Sequence, residues 1–356
     1  MRVMVCVAFG LLCMTGSVAA SSRDLTMEAV NGASDPSVAS EGDVSPILIK
    51  AQVLLDRARF SPGVIDGRDG ENVRNAIRAF ERAHELEADG TVDEALLAKL
   101  NGTSSDPVLM SYTIAEDDVK GPFTAIPERM EDQAKLERLS YSSPEELLAE
   151  KFHMDINLLK ELNPGKRFDR AGESIVVANV ASPDGAKDRP KADRVEVVKN
   201  ERIVRVLGKD GAVLAVYPAS IGSEEKPAPT GSYTVKAVAH NPVYTYNPDY
   251  GFKGVKAKEK FEIEPGPNNP VGTVWIDLSI ESYGIHGTPE PEKVGKAYSH
   301  GCVRLTNWDA EDLAGMVKKG RRSIFSTDAR RPRLNRRWRN STGRASDPRP
   351  LRCHAF

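Results

Sequence analysis

Cys302 stands in the run Tyr298-Ser299-His300-Gly301-Cys302-Val303-Arg304-Leu305, two residues after a histidine and two before an arginine. A thiol attacks as thiolate, so its pKa of about 8.5 must be lowered by a cation or its proton taken by a base. In an extended segment alternate side chains share a face, which places His300, Cys302 and Arg304 together. A second histidine, His286, lies sixteen residues upstream in Tyr283-Gly284-Ile285-His286-Gly287-Thr288-Pro289, a spacing that suits two strands joined by a loop. A cysteine with a histidine brought in from a neighbouring strand is the arrangement of thiol acyl transfer. There the imidazole takes the proton, sulfur attacks a carbonyl and backbone amides hold the oxyanion. Gly301 lets the backbone approach a substrate closely.

Two other readings use the same residues. Cys302 could be a small buried hydrophobe with the histidines as packed core groups, but two histidines, an arginine and glycines around one cysteine make the electropositive setting of a reactive thiol. Zinc needs four ligands, or three and a water, and no second cysteine or acid keeps such a spacing here. No metal or organic cofactor is expected.

The runs "GPNNPVGTVWIDL", "YGIHGTPEP" and "SHGCVRLTNWDAEDL" resemble the L,D-transpeptidase catalytic domain of the YkuD type, over roughly Arg194 to Phe325. The resemblance implies that Cys302 is the nucleophile and His286 the general base and acid. His300 and Arg304 then orient the base or bind the substrate carboxylate, Gly301 offers an oxyanion amide, and Ser299 and Gly287 line the substrate. It also implies a substrate class, peptidoglycan stem peptides, and inhibition by β-lactams of the carbapenem type. The charge of the pair is expected to be shared as thiolate and imidazolium. The acceptor stays open between a second stem, a lysine of an outer-membrane lipoprotein, a D-amino acid and water, the last giving an L,D-carboxypeptidase or endopeptidase. The reading from another class is a wall-binding scaffold with an inert catalytic domain. A papain-like protease is disfavoured, because its cysteine would begin a helix near the mature N-terminus.

At 356 residues the chain has room for two or three domains, and its formal net charge of -2 points to no nucleic-acid partner. That charge hides an asymmetry, since the last thirty-six residues carry eleven arginines and two acids. Arg2, the apolar Val3 to Met14 and the small residues Val18-Ala19-Ala20 read as an export signal over residues 1–20, and together with the resemblance this implies a periplasmic, cell-wall-associated protein. Export leaves Cys302 as the one cysteine of the folded body, and a cysteine kept unpaired in an oxidising compartment marks a special thiol.

The expected fold is multidomain α+β: a small three-helix module, a small α/β module, and a mostly-β sandwich with one helix that carries the site. Residues 21–45 read as a disordered spacer, since they are polar and lack periodicity. In 46–102 apolar residues recur at spacings of three and four through Val53, Val73, Ile77, Phe80, Leu96 and Leu100, predicting three helices. Its "VIDGRDGENVRNAIRAFERAHELEADGTVDEALLAKL" is similar to the peptidoglycan-binding domain, with Glu81 where that family usually has Gln. Residues 103–135 read as a linker, long for a loop and expected to pack partly against a neighbour. In 136–180 Ser143 and Asp155 can cap two helices before a strand over Ser174 to Val177, which resembles a divergent LysM module. His153 within it is read as a packing residue. A linker at 181–192 leads to the catalytic domain at 193–326, where alternating residues predict a β-meander and a helix over Trp308 to Lys318. The aromatic insertion Asn241 to Pro270 reads either as a surface flap packed by its own side chains or as a substrate lid, and the resemblance implies the lid, with Tyr246 as a contact. The closing strand departs from the family at Arg321-Arg322-Ser323-Ile324-Phe325, which is expected to weaken the domain. Residues 327–356 form an arginine-rich, disordered tail, either a charged binding segment or the product of a shifted reading frame.

Overall fold

The computed structural model describes residues 25–38, 42–180, 189–222, 227–250, 255, 257–297, 301–320 and 322–326. The expected signal, the arginine-rich tail, Ser299 and His300 lie outside the described residues.

The N-terminal part holds α1 (Met27–Asn31), α2 (Pro46–Arg57), α3 (Glu71–Ala83) and α4 (Glu94–Asn101). Asp93 caps α4 by accepting from the Leu96 amide at 2.7 Å. Glu81 is buried and accepts from the Gly90 amide at 3.0 Å, so it ties the end of α3 to the turn before α4. The spacer expectation for 21–45 needs correction. Thr26 caps α1, Val30 is fully buried, and Asn31 brackets the Leu109 backbone with two hydrogen bonds of 3.1 and 2.8 Å. A five-residue helix is too short to show the periodicity by which it would have been recognised.

The expected linker at 103–135 packs as expected but holds regular elements that were not, β1 (Leu109–Thr113), α5 (Glu116–Val119) and α6 (Met130–Gln133). After them come α7 (Pro144–Lys151), α8 (Ile156–Glu161) and β2 (Ser174–Ala178), where two helices and a strand were read. Strand β1 pairs antiparallel with β2, Leu109 opposite Ala178 and Thr113 opposite Ser174. This long-range pairing closes β1, α7, α8 and β2 into one unit. Its Leu148, Leu159 and Val177 share a single core with Ile49, Phe80 and Leu96 of the first three long helices. Each such fully buried apolar side chain stabilises by about 1.5–3 kcal/mol, so the two N-terminal units hold each other.

The C-terminal part contributes β3 (Arg194–Val198), β4 (Ile203–Leu207), β5 (Val213–Pro218), β6 (Ser220–Ile221), β7 (Gly231–His240), β8 (Tyr244–Tyr246), β9 (Phe261–Ile263), β10 (Val274–Leu278), β11 (Gly284–His286), β12 (Val303–Arg304), α9 (Asn307–Met316) and β13 (Arg322–Ser326). Among the described residues the main sheet runs β5-β4-β3-β13-β7-β10-β11-β12-β6. The ten-residue β7 pairs with β13 through Gly231 to Thr234 and with β10 through Val235 to His240, so it carries the sheet from one half to the other. Val195, Val204 and Tyr217 from one half, Trp275, Ile276 and Ile285 from the other, and Leu313 of α9 form the second core. Strand β13, the departing segment, lies centrally, parallel to β3 and antiparallel to β7. Backbone pairing on both edges places it there, and such pairing is indifferent to the family's usual side chains.

Candidate active site

Strands β11 and β12 run parallel, with Ile285 opposite Val303 and His286 opposite Arg304. The Leu305 amide donates to the His286 carbonyl at 2.8 Å and fixes that register. Cys302 lies in the bend that immediately precedes β12, the strand paired with the one that carries His286. Both groups are buried, Cys302 at 2% and His286 at 5% exposure. At Gly301 φ is +130°, a backbone state that a residue with a Cβ rarely adopts, so the turn into the cysteine requires glycine.

The imidazole of His286 is held by its own backbone. Its Nδ1 lies 2.6 Å from the Gly287 carbonyl, which can only accept, so Nδ1 carries the proton and Nε2 keeps its lone pair. Trp275 stacks on the ring, centroids 5.5 Å apart and planes at 23°. Burial, then the Arg304 guanidinium, push the imidazole pKa down to about 3 against the opposing pull of the Gly287 carbonyl. Lost hydration and the nearby cation, which sequence cannot weigh, both disfavour the charged ring, against the expected sharing of charge as imidazolium.

Arg304 is 19% exposed and its Nη1 lies 4.0 Å from Glu290, at the outer limit of an ion pair. Its buried Nε has no hydrogen-bond partner among the described residues. Glu290 is also paired to Lys293. Tyr246 is placed in the interior of the insertion. It is 2% exposed, stacks on Phe261 at 4.6 Å, and donates its hydroxyl to the Ala257 carbonyl at 3.4 Å. The expected lid is thus a β8–β9 hairpin that Tyr246 packs from within.

Either Thr306 or Asn307 has a side chain suited to cap α9, and Thr306 performs that role, accepting from the Asp309 amide at 3.2 Å. Asn307 is a clamp instead. Its Oδ1 accepts from the Thr273 and Thr288 amides at 3.2 and 3.1 Å, and its Nδ2 donates to Glu150 at 3.1 Å and the Pro267 carbonyl at 3.2 Å. A Cβ on Gly287 would overlap Asn307 Oδ1, so this glycine is required by the clamp. The one sequence signal for the clamp was the position of Asn307, directly after the cysteine run. Glu150 gave none, since it lies far along the chain from the motif it meets in space.

A sheet-rich domain that holds a thiol beside a strand bearing an oriented, neutral imidazole is built as an enzyme. Residues 192–325 match the L,D-transpeptidase catalytic domain family, and residues 45–100 match a putative peptidoglycan binding domain. A putative L,D-transpeptidase YkuD of Bacillus licheniformis is 30% identical over 179 residues, covering 50% of this chain and 90% of that protein. A putative L,D-transpeptidase YqjB of Bacillus subtilis is 33% identical over 154 residues, 42% of this chain and 79% of that protein. The crystal structure of L,D-transpeptidase 3 from Mycobacterium tuberculosis aligns more loosely, at 22% identity and TM-score 0.32 over 38% of this chain and 61% of that one. The chain belongs to the YkuD family of L,D-transpeptidases. It is an enzyme of that class, with a peptidoglycan-binding domain N-terminal to the catalytic one.

Proposed function

We propose that the protein transfers acyl groups between peptidoglycan stem peptides through a thioester on Cys302. The observation that carries this reading is the 2.6 Å contact of His286 Nδ1 with the Gly287 carbonyl, which leaves Nε2 as the base on the strand beside the cysteine segment. In the first step the thiol proton passes to Nε2 while sulfur forms a bond to the carbonyl carbon of the stem's diamino acid residue. The C–N bond to the terminal D-alanine then breaks, and its amine leaves with the proton from Nε2. In the second step an acceptor amine attacks the thioester, gives its proton to Nε2 and forms an amide, and sulfur leaves and recovers the proton. The amides of Gly301 and Cys302 hold the oxyanion, each donor contributing about 3 kcal/mol. His300 supports the base, while Ser299 and Arg304 bind the donor stem, the guanidinium through the substrate carboxylate. Gly287 lines the substrate path, and Tyr246 shapes the hairpin that bounds it.

The N-terminal domain and the β1–α7–α8–β2 unit, read as LysM-like, keep the enzyme on polymeric wall, in the periplasm after export by the N-terminal signal. A second stem, a lipoprotein lysine or water as acceptor gives cross-linking, anchoring or hydrolysis from one acyl-enzyme. Intact-protein mass after mixing with a carbapenem tests the reading. One adduct on the native protein, absent from Cys302→Ala and much slower on His286→Ala, is the expected result. No adduct on folded, reduced protein would turn the reading to a binding scaffold.

A further inference from the structure

Glu150 lies on α7, outside the catalytic domain, and is buried against the start of α9. Its carboxyl accepts from Asn307 Nδ2 at 3.1 Å and 3.4 Å. The other end of that amide holds the Thr288 amide, and the residue before Thr288 is Gly287, whose carbonyl holds Nδ1 of His286. The same face of the N-terminal unit grips the neighbouring loop. Asn268 Nδ2 donates to Glu146 at 2.8 Å and to the Ser140 carbonyl at 2.9 Å, and the Asn268 amide donates to the Leu139 carbonyl at 3.0 Å.

We propose that Glu150 is a positioning residue for the catalytic base, supplied to the active site by the β1–α7–α8–β2 unit. It orients Asn307, Asn307 fixes the chain at Thr288, and the Gly287 carbonyl then selects the His286 tautomer with Nε2 free. The site is completed by a residue from outside the catalytic domain, which gives the wall-binding part of the chain a direct bearing on the chemistry. This rests on His286 acting as the base.

The surroundings of Glu150 agree with such a role. Burial foremost, with Glu146 and Glu311, raises its carboxyl to about 8, while the hydrogen bonds from Asn307 and Tyr141 pull the other way. At neutral pH it is mostly a neutral acid, for which glutamine is a close mimic and aspartate is too short.

The test compares Glu150→Gln with Glu150→Asp in the full chain. The readouts are the tautomer of His286, from the nitrogen shifts of labelled histidine, and the rate of Cys302 acylation by a carbapenem against its concentration. Glu150→Gln is expected to keep the Nδ1-protonated tautomer and the native maximal rate. Glu150→Asp is expected to mix the tautomers and lower the maximal rate about tenfold with the half-saturating concentration unchanged. A residue that only packs the interface would lower thermal stability in both variants and leave the rate of the folded protein intact, and that result overturns the proposal. So would equal rates and tautomers in the two variants. If the native protein is not acylated at all, the reading of His286 as base fails, and the tautomer comparison still decides the role of Glu150.

Discussion

The His153 imidazole lies face to face with the Trp308 indole, ring centroids 4.9 Å apart and planes 9° from parallel. His153 belongs to the loop between α7 and α8, and Trp308 is the second residue of α9, six after Cys302. His153 Nδ1 also meets Asp56 of α2 at 2.9 Å, and Ser61 donates to Asp309 at 3.1 Å. Three parts of the chain therefore meet on the helix that follows the cysteine. Burial opposes charge on His153, yet Asp56, with Asp309 and Asp312, outweighs it and raises the pKa. A charged imidazole against an indole face adds a cation–π attraction to the packing.

Replacing His153 by alanine removes the stack and leaves the Asp56 carboxylate buried without its cation. Breaking such a pair from one side costs about 3–5 kcal/mol. Thermal unfolding at pH 6 is expected to fall by several degrees, with faster proteolysis between the N-terminal units and the catalytic domain. An unchanged melting temperature would show that the junction carries no stability.

Asp309 sets a pH dependence of stability. Burial, then Asp56, lift its carboxyl to about 7, against the hydrogen bonds from Thr306 and Ser61 and the charge of His153. Between the usual carboxyl pKa of about 4 and this raised value the folded chain holds a proton that the unfolded chain has lost, so stability falls as pH rises through that window. The raised His153 acts in the same direction, its contribution being lost as pH rises through its folded pKa. Asp309→Asn keeps an acceptor for Ser61 and removes the titration. Its melting temperature is expected to fall less between pH 4.5 and 7.5 than that of the native protein, and parallel curves for the two would refute the assignment.

His286 sets the pH dependence of acylation. With its imidazole near 3, the rate of adduct formation at Cys302 should lack an acid limb near the ordinary histidine value of about 6.5. Substituting Arg304 by methionine removes the cation that disfavours imidazolium, so any acid limb is expected to move to higher pH. A native limb centred near 6.5, unmoved by Arg304→Met, would contradict the buried neutral base.

Gly301→Ala tests the turn into the cysteine. A Cβ at φ +130° costs about 1–3 kcal/mol of backbone strain, which the chain can relieve by moving Cys302. Acylation is expected to slow about a hundredfold while the melting temperature drops by only a few degrees. Native acylation in this variant would remove the case that the turn geometry serves the thiol.

The strand arrangement around the candidate site was legible in the run of residues itself. The spacing of His286 and Cys302 predicted two adjacent strands, and β11 and β12 pair side by side. The helices α2 to α4, the caps Ser143 and Asp155, and the helix after the cysteine also follow from local pattern. Less was legible where signals are short or non-local. Helix α1 is five residues long, β1 finds its partner far along the chain, with Leu109 opposite Ala178 and Thr113 opposite Ser174, and β13 is held by pairing on both edges.

The sequence by itself determined which groups are candidates for chemistry, because a thiol, a histidine and an arginine at these spacings have reactivities that belong to residue type and local geometry. Only the tertiary structure decided the state in which they work. Burial and Arg304 make His286 neutral, and the Gly287 carbonyl selects its tautomer. Asn307 holds that carbonyl's strand, and Glu150 reaches Asn307 from 157 positions away. Desolvation and through-space charge depend on what surrounds a group in three dimensions, and neighbours so far apart along the chain leave no mark on the spacing of a motif.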